Sequence, residues 1–254
     1  MDLELKDHVA VVTGGASGIG AACVEALQRE GCRVAIWDLN PAAGVIPVNV
    51  ADEGAVKAAL SETERLYGPV DHLVHAAAIG SGKFGFPLTN LEPADWPRVL
   101  EVNIMGMVNV AHAVAAGMRE RRRGTMVFLA SVAGQIGSQT DPPYSATKAA
   151  NINFAQCLAK DLAPYGVRVN SVCPGMVNTP LMERIWQASQ AGLPPERQAT
   201  LEEWGAAKLR AVVPLGRWQE PADIADMVTF LSSSRSRQVT GQTINVDGGF
   251  VMHW

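Results

Sequence analysis

A tyrosine and a lysine four positions apart, Tyr144 and Lys148, are the side chains best suited to acid–base chemistry in this sequence. On a helix, residues at this spacing share one face, so the phenol and the ammonium would project side by side. A neighbouring cation stabilises phenolate over phenol and thereby lowers the pKa of the tyrosine. A phenol that ionises near the working pH can take a proton from an alcohol or return one to a ketone oxygen. The pair therefore indicates interconversion of an alcohol and a carbonyl.

A glycine-rich segment near the start of the chain predicts a cofactor that carries hydride for that reaction. Residues 13–20 read Thr-Gly-Gly-Ala-Ser-Gly-Ile-Gly, between an apolar strand pattern and a helical pattern. Glycines there let the backbone approach a pyrophosphate, and the helix N-terminus offers free N–H groups and a favourable dipole. The spacing is Gly-x-x-x-Gly-x-Gly rather than Gly-x-Gly-x-x-Gly, so a tight turn without a ligand is the alternative for this segment alone.

Asp38 bears on which dinucleotide would bind. It directly follows the second predicted strand, eighteen residues beyond Gly20. A carboxylate at this place can accept hydrogen bonds from the adenosine ribose hydroxyls and would repel a 2′-phosphate. The glycine segment contains no Arg or Lys that could bind such a phosphate. These features predict NAD rather than NADP.

Strand and helix patterns alternate along the chain. The strand patterns cover 8–12, 33–37, 45–48, 70–75, 125–130, 168–172 and 242–246, and the helical patterns 18–30, 53–67, 92–118, 144–162 and 221–231. Repeated β-α-β units predict an α/β fold of the doubly wound Rossmann type, with a mainly parallel sheet and helices on both faces. Residues 39–44 are too few for a crossover helix, and 176–215 is less regular. We find no linker or repeat, so one domain spans 1–254.

The composition is that of a folded protein with no bias towards nucleic acid. Of its 254 residues 48% are apolar, which is enough for a substantial core. The formal net charge is −4, so no nucleic-acid partner is expected. The one basic cluster, at 119–123, ends a helical pattern, where cations complement the helix dipole.

Metal sites and membrane segments are not expected either. His72 and His75 lie three apart in a strand pattern and would face opposite sides of the sheet. No signal pattern opens the chain, and no apolar run reaches the ~20 residues of a membrane span. Such a protein is expected in the cytoplasm, where scattered thiols stay reduced. The four cysteines fit that description: Cys23, Cys32, Cys157 and Cys173.

Together these motifs make the chain resemble the short-chain dehydrogenase/reductase family, in its compact branch of about 250 residues, over essentially the whole length. The glycine segment, Pro174-Gly175 after the sixth strand and the C-terminal segment 240–249 match the family's motifs. Four residues match its catalytic tetrad in identity and order: Asn103, Ser131, Tyr144 and Lys148.

The resemblance implies a role for each member of the tetrad. Tyr144 would be the general acid/base, and Lys148 would lower its pKa and hydrogen-bond the nicotinamide ribose. Ser131 would hold the substrate oxygen and stabilise charge as hydride moves. Asn103 would hold a water that links Lys148 to solvent. A turn-capping serine and a buried amide paired with backbone are the structural alternatives for these last two.

It also implies a set of cofactor contacts, with two departures from the family's pattern. His75-Ala76-Ala77-Ala78 stands where the family usually has Asn-Asn-Ala-Gly, and Asn49 stands where an Asp is common. The implied NAD contacts are Gly14, Ser17, Gly18, Ile19, Gly20, Asp38, Leu39, Asn49, Val50, Ala76, Ala77, Ala78, Tyr144, Lys148, Pro174, Gly175, Val177 and Thr179.

The substrate end is less determined by the sequence. Residues 176–215 are rich in Met and Trp, and the chain ends Met252-His253-Trp254, which suits an apolar or aromatic alcohol or ketone. Packing of these side chains against the body or a partner subunit is the alternative. The expected substrate contacts are Ser131, Ala133, Tyr144, Met182 and Trp186.

Three functions remain open at this point. The first is an NAD-dependent oxidoreductase acting on a secondary alcohol or ketone. The second is reduction of 3-oxoacyl thioesters, usually with NADPH, against which Asp38 argues. The third is a non-catalytic dinucleotide-binding module, which would be free to lose the tetrad. The resemblance also implies a homotetramer, consistent with two-fold interfaces and the apolar helix pattern at 144–162.

Overall fold

The computed structural model describes residues 2–85, 87–137, 140–191 and 193–252, and within them seven strands form one parallel sheet. The strand order is β3-β2-β1-β4-β5-β6-β7, so the direction of winding reverses between β1 and β4. In such sheets ligands bind at the carboxyl edge, at the point of reversal. The strands are β1 Val9–Thr13, β2 Arg33–Asp38, β3 Val45–Pro47, β4 His72–His75, β5 Gly124–Leu129, β6 Val167–Pro174 and β7 Thr243–Val246.

Helices cover both faces of the sheet because successive strand residues point to opposite sides. Val9 and Val11 of β1 face a core shared with α2, α4 and α5, whereas Ala10 and Val12 face a core shared with α1 and α8. The helices are α1 Gly18–Arg29, α2 Glu53–Tyr67, α3 Pro97–Leu100, α4 Gly106–Arg121, α5 Pro142–Leu162, α6 Pro180–Gln190, α7 Leu201–Val212 and α8 Pro221–Ser232. The expected doubly wound α/β fold is confirmed.

Two regions differ from what the patterns predict. Residues 176–215 are not irregular, because they contain α6 and α7. The start of α7 has a capping box in which Thr200 and Glu203 satisfy each other's backbone N–H groups. The helical pattern at 92–118 is broken just before Pro97, which begins α3, and it changes to a π-helical turn at Glu101–Met105, between α3 and α4.

The helical stretch Pro93–Arg121 is long and apolar enough to span a membrane, although the sequence analysis expected no such segment. By length and composition alone it could cross a membrane, with a mean hydropathy of 1.5 over its most apolar window. About half of that window, 44%, is buried inside the protein. Its residues Met107, Val110 and Met118 pack in the core beneath the sheet. The stretch therefore behaves as a core helix.

Candidate active site

A cavity of about 780 Å³ opens along the carboxyl edge of the sheet. Residues that follow the ends of β1, β2, β4, β5 and β6 line it, because all these strands are parallel and end at the same edge. The glycine segment lies at one end, and α6 and α7 close the other. The first turn of α5, with Tyr144, lies on its wall.

At the glycine end the backbone itself forms the wall. Gly14 has a φ of +66°, and a Cβ there would lie 2.9 Å from the Ala77 nitrogen, so only glycine fits. The N-cap of α1, Ser17, makes no side-chain hydrogen bond to the helix. The first N–H groups of α1 therefore stay available to an anion, and this cradle fits a pyrophosphate.

Thr13 at the end of β1 and His75 at the end of β4 hold these two strands together at the glycine end of the cavity. The Thr13 hydroxyl oxygen accepts hydrogen bonds from the backbone N–H groups of Ala76 and Ala77, each at 3.2 Å. Its own proton is therefore directed to His75 Nδ1 at 3.0 Å, which places the imidazole proton on Nε2. Burial lowers the pKa of His75 to about 3, with Lys148 adding to the effect. The ring is neutral and holds β1 against β4.

Asp38 lies in the cavity wall and is tied to the glycine segment. One carboxylate oxygen accepts the Ala16 N–H at 3.1 Å, and the other accepts the Asn40 N–H at 3.0 Å. The second oxygen also accepts the Asn40 side-chain amide at 3.3 Å, so the first oxygen keeps a lone pair for a further donor. Asn49 also lines the cavity, and its side-chain oxygen accepts the Ala51 N–H at 3.2 Å.

Ser131 and Tyr144 both line the cavity. The Ser131 hydroxyl accepts the Ala133 N–H at 3.1 Å, and its hydrogen-bonding influence on the phenol lowers the pKa of Tyr144. Asp141, the N-cap of α5, accepts the Tyr144 N–H at 3.3 Å and so fixes the first turn. Burial raises the pKa of Tyr144 above its ordinary value, and the Ser131 hydrogen bond opposes this effect.

Lys148 is buried one turn further along α5. Its ammonium donates to the Leu129 carbonyl at 2.5 Å and lies 5.3 Å from the centroid of the Tyr144 ring. Burial lowers the pKa of Lys148 to about 8. Burial is the largest influence on the phenol pKa and raises it, so the lowering of this pKa by Lys148 stays a prediction. Gly134 packs on the Lys148 backbone, where a Cβ would lie 2.6 Å from the Lys148 carbonyl carbon.

Asn103 lies behind these residues, in the π-helical turn. Its amide donates to the Ile79 carbonyl at 2.9 Å and the Thr147 hydroxyl at 3.0 Å, and accepts the Ile79 N–H at 2.8 Å. The side chain is 4% exposed and does not line the cavity. Its amide protons are thus committed to protein partners rather than to a water near Lys148. It fastens the segment after β4 to α5.

Comparison with known proteins matches this arrangement over nearly the whole chain. A family model described as enoyl-(acyl carrier protein) reductase matches residues 14–251. The acetoacetyl-CoA reductase of Synechocystis is 38% identical over 98% of both chains. The chain belongs to the short-chain dehydrogenase/reductase family. It is therefore an oxidoreductase of a family that binds a nicotinamide dinucleotide.

Other relatives in the family act on varied substrates by name. A 2-(S)-hydroxypropyl-CoM dehydrogenase of Xanthobacter autotrophicus is 36% identical over 98% of both chains. The solved structure of an aldohexose dehydrogenase from Thermoplasma acidophilum superposes with a TM-score of 0.87 at 28% identity, covering 98% of this chain and 96% of that one. The fold and the reaction class are shared across these proteins, whereas their substrates are not.

Most of the residues singled out in the sequence lie around the one cavity. Every expected cofactor contact lines it, as do Ser131, Ala133 and Met182 among the expected substrate contacts. Trp186 does not: its indole donates to the Ala199 carbonyl at 2.9 Å and holds the connection between α6 and α7. His253 and Trp254 lie outside the described residues.

Sequence reasoning missed most of the substrate end. The additional lining residues share helix faces on α6 and α7 or follow strand ends: Ile136, Asp141, Met176, Leu181, Arg184, Ile185, Lys208, Ala211, Val212 and Phe250. The spacing of 181, 182 and 185, and of 208, 211 and 212, is that of one helix face. The capping box at Thr200 and Glu203 was the available signal for α7.

Proposed function

We propose that this protein is an NAD-dependent oxidoreductase that transfers hydride between a secondary alcohol or ketone and the nicotinamide. The observation that carries the proposal is the cluster at the cavity wall. Ser131 and Tyr144 line one cavity, the Lys148 ammonium lies 5.3 Å from the centroid of the Tyr144 ring, and the glycine segment lines the same cavity. Acid–base groups and a dinucleotide cradle thus share one space.

The chain's own residues would handle the proton and the substrate oxygen. In ketone reduction the Tyr144 phenol gives its proton to the carbonyl oxygen, and in alcohol oxidation its phenolate takes one back. Ser131, whose oxygen already accepts a backbone N–H, donates its proton to the substrate oxygen and stabilises charge there. The bound nicotinamide supplies or accepts the hydride. Lys148 adds positive charge beside the phenol, and Asn103 positions α5.

The preference for NAD rests on the wall around Asp38. The carboxylate follows β2 and lines the cavity beside Leu39 and the glycine segment. Trp37, which precedes it, is fully buried and offers no charge to a phosphate. A 2′-phosphate would therefore meet a carboxylate with no adjacent cation, whereas ribose hydroxyls would meet an acceptor.

Reduction of 3-oxoacyl thioesters is the second candidate. It is favoured by the similarity to the acetoacetyl-CoA reductase of Synechocystis, and it would use the same Tyr144 and Ser131. Turnover of purified protein with secondary alcohols, ketones and acetoacetyl-CoA, each with both dinucleotides, separates the two. NADH formation from a secondary alcohol is expected, whereas activity confined to the thioester with NADPH would overturn the first candidate.

We also propose that the enzyme assembles as a homotetramer. Helix α5 leaves Ala146 and Ala149 exposed on the side away from the sheet, although the helix is apolar. A second copy packing there would remove this surface from water, and two-fold symmetry lets one patch serve both subunits. Light scattering at micromolar concentration should give four times the chain mass, and a monomer would contradict the assembly.

A further inference from the structure

The end of the cavity away from the glycine segment contains a lysine with no anionic partner. Lys208 lines the cavity together with Ala211 and Val212 of the same helix, α7. Its ammonium lies 4.4 Å from the centroid of the Trp204 ring, one turn earlier. In the part of the chain that the structure describes, no ion pair includes Lys208.

The carboxylates that line the same cavity are engaged elsewhere. Asp141 accepts the Ser81 N–H at 2.7 Å and caps α5. Asp38 accepts the Ala16 N–H at 3.1 Å, at the cofactor end. Neither forms an ion pair with Lys208, and the recorded contact of its ammonium, among the residues that the structure describes, is with the electron-rich face of the Trp204 indole.

Such an arrangement is unfavourable until an anion arrives. Burial lowers the pKa of Lys208 below its ordinary value, because removing an ammonium from water destabilises the charged form. Lys208 is partly buried, and a charge-assisted hydrogen bond to an anion would be among the stronger polar contacts open to its ammonium. Arg184 of α6, an exposed side chain, is a further cation that lines the cavity and, among the described residues, has no ion pair.

The wall shared with these cations is apolar. Met176, Ile185 and Phe250 line the same cavity as Tyr144 and Lys208. We infer that the substrate has an apolar body ending in a compact anionic group, a carboxylate or a sulfonate, which Lys208 binds with Arg184 at the rim. The inference rests on the proposed function in one respect, since the reacting carbon would lie at Tyr144.

The two cations are far apart in sequence, and this explains why no basic cluster is apparent there. Arg184 and Lys208 belong to different helices, and the packing of α6 and α7 over the cavity lets both line it. The recognition of a small anion would therefore be a property of the fold. It requires no run of basic residues.

The test measures binding separately from turnover. Cyclohexanecarboxylate and cyclohexanesulfonate, which cannot react, are titrated into the NADH complex by calorimetry, next to the neutral methyl ester of the carboxylate. The variants are Lys208→Met, which keeps most of the stem, Lys208→Arg, which keeps the charge, and Lys160→Met as a control. Lys160 is an exposed lysine of α5 that does not line this cavity.

We expect at least one of the two anions to bind the unmodified protein more tightly than the ester. Lys208→Met should weaken that binding by about tenfold or more, Lys208→Arg should largely retain it, and Lys160→Met should leave it unchanged. Equal affinity of anion and ester, equal affinity in Lys208→Met, or no binding of either anion would overturn the inference. If anions bind as expected while no alcohol or ketone turns over, the proposed function fails and the anion site stands.

Discussion

The two ends of the cavity are built in different ways. At the cofactor end the wall is backbone: Gly14 packs against Ala77, and the N-terminus of α1 is left uncapped by Ser17. At the substrate end the wall consists of side chains from one face each of α6 and α7, such as Met182 and Lys208. The cofactor end suits the pyrophosphate that all dinucleotides share, whereas the shape and charge of the substrate end change with each substitution on the lining face of α6 or α7.

The difference explains why the family keeps one cofactor fold while its members act on different substrates. A backbone cradle tolerates few residues, since a Cβ at Gly14 would meet the Ala77 nitrogen at 2.9 Å. A helix face accepts any side chain that preserves the buried side of the helix, here Leu209 and Val213 against Met176. Substrate specificity can therefore change without loss of the fold.

Tyr144 lies between the two ends of the cavity. Its replacement therefore tests whether proton transfer can be lost while the cavity still binds cofactor and substrate. Tyr144→Phe keeps the ring and removes the proton donor, and turnover should fall by about 10²-fold or more. The dissociation constant of NADH, measured by fluorescence titration, should stay within a few-fold of the unmodified value. A variant that retains most of the original rate would show that another group moves the proton.

Asp38 provides the sharpest test of the cofactor end. The unmodified enzyme should prefer NAD over NADP by at least ~100-fold in kcat/KM, on the order of 3 kcal/mol of transition-state discrimination. Asp38→Ser should shrink this gap mainly by weakening NAD, because it removes repulsion without adding a partner for phosphate. Selectivity among alcohols should not change, since the substrate end is untouched.

A second substitution at the same place should move the preference further. Asp38→Ser combined with Leu39→Arg should improve NADP use, because a guanidinium can bind a phosphate through two hydrogen bonds. Leu39 is exposed and lines the cavity, so the new side chain has room. Comparable kinetics with NAD and NADP in the unmodified enzyme would show that Asp38 does not meet the ribose, and would favour the thioester reductase.

The parts of the site that the sequence predicted are those carried by local motifs. Residues 13–20 contain both the strand end and the helix start, and Tyr144 and Lys148 share a turn spacing. Contacts between distant segments were not predictable in this way. The Asn103 amide meets Thr147 and Ile79 only because the π-helical turn and α5 pack together. Composition alone does not tell which side of a helix faces a cavity, and the Trp186 indole is bound to the Ala199 carbonyl and does not line it.

The smallest expected effect concerns His75 at the cofactor end, and it is measured as a change in the free energy of unfolding with pH. Because burial lowers its pKa to about 3, the unfolded chain binds a proton at pH values where folded His75 stays neutral. The folded state should therefore lose stability as the pH falls below about 6.5, by roughly 1–2 kcal/mol between pH 7 and pH 5 for this residue.

The matched variant is His75→Asn, which keeps an acceptor for the Thr13 hydroxyl and removes the titrating ring. Urea unfolding at pH 7 and pH 5 should show a smaller acid-induced loss in the variant than in the unmodified protein. His72 titrates with the same sign and remains in both proteins, so some acid sensitivity should persist. An unchanged loss in the variant would mean that His75 is not the group responsible.

The most direct test of the proposed reaction is the absorbance of NADH as purified protein is incubated with NAD and a panel of secondary alcohols at mildly alkaline pH. The panel should include neutral apolar alcohols and alcohols that end in a carboxylate or sulfonate. We expect NADH to form with at least one secondary alcohol, and the rate to fall about 10²-fold or more in Tyr144→Phe. Binding of NADH without turnover of any alcohol, ketone or thioester would contradict the account and favour a non-catalytic dinucleotide-binding module.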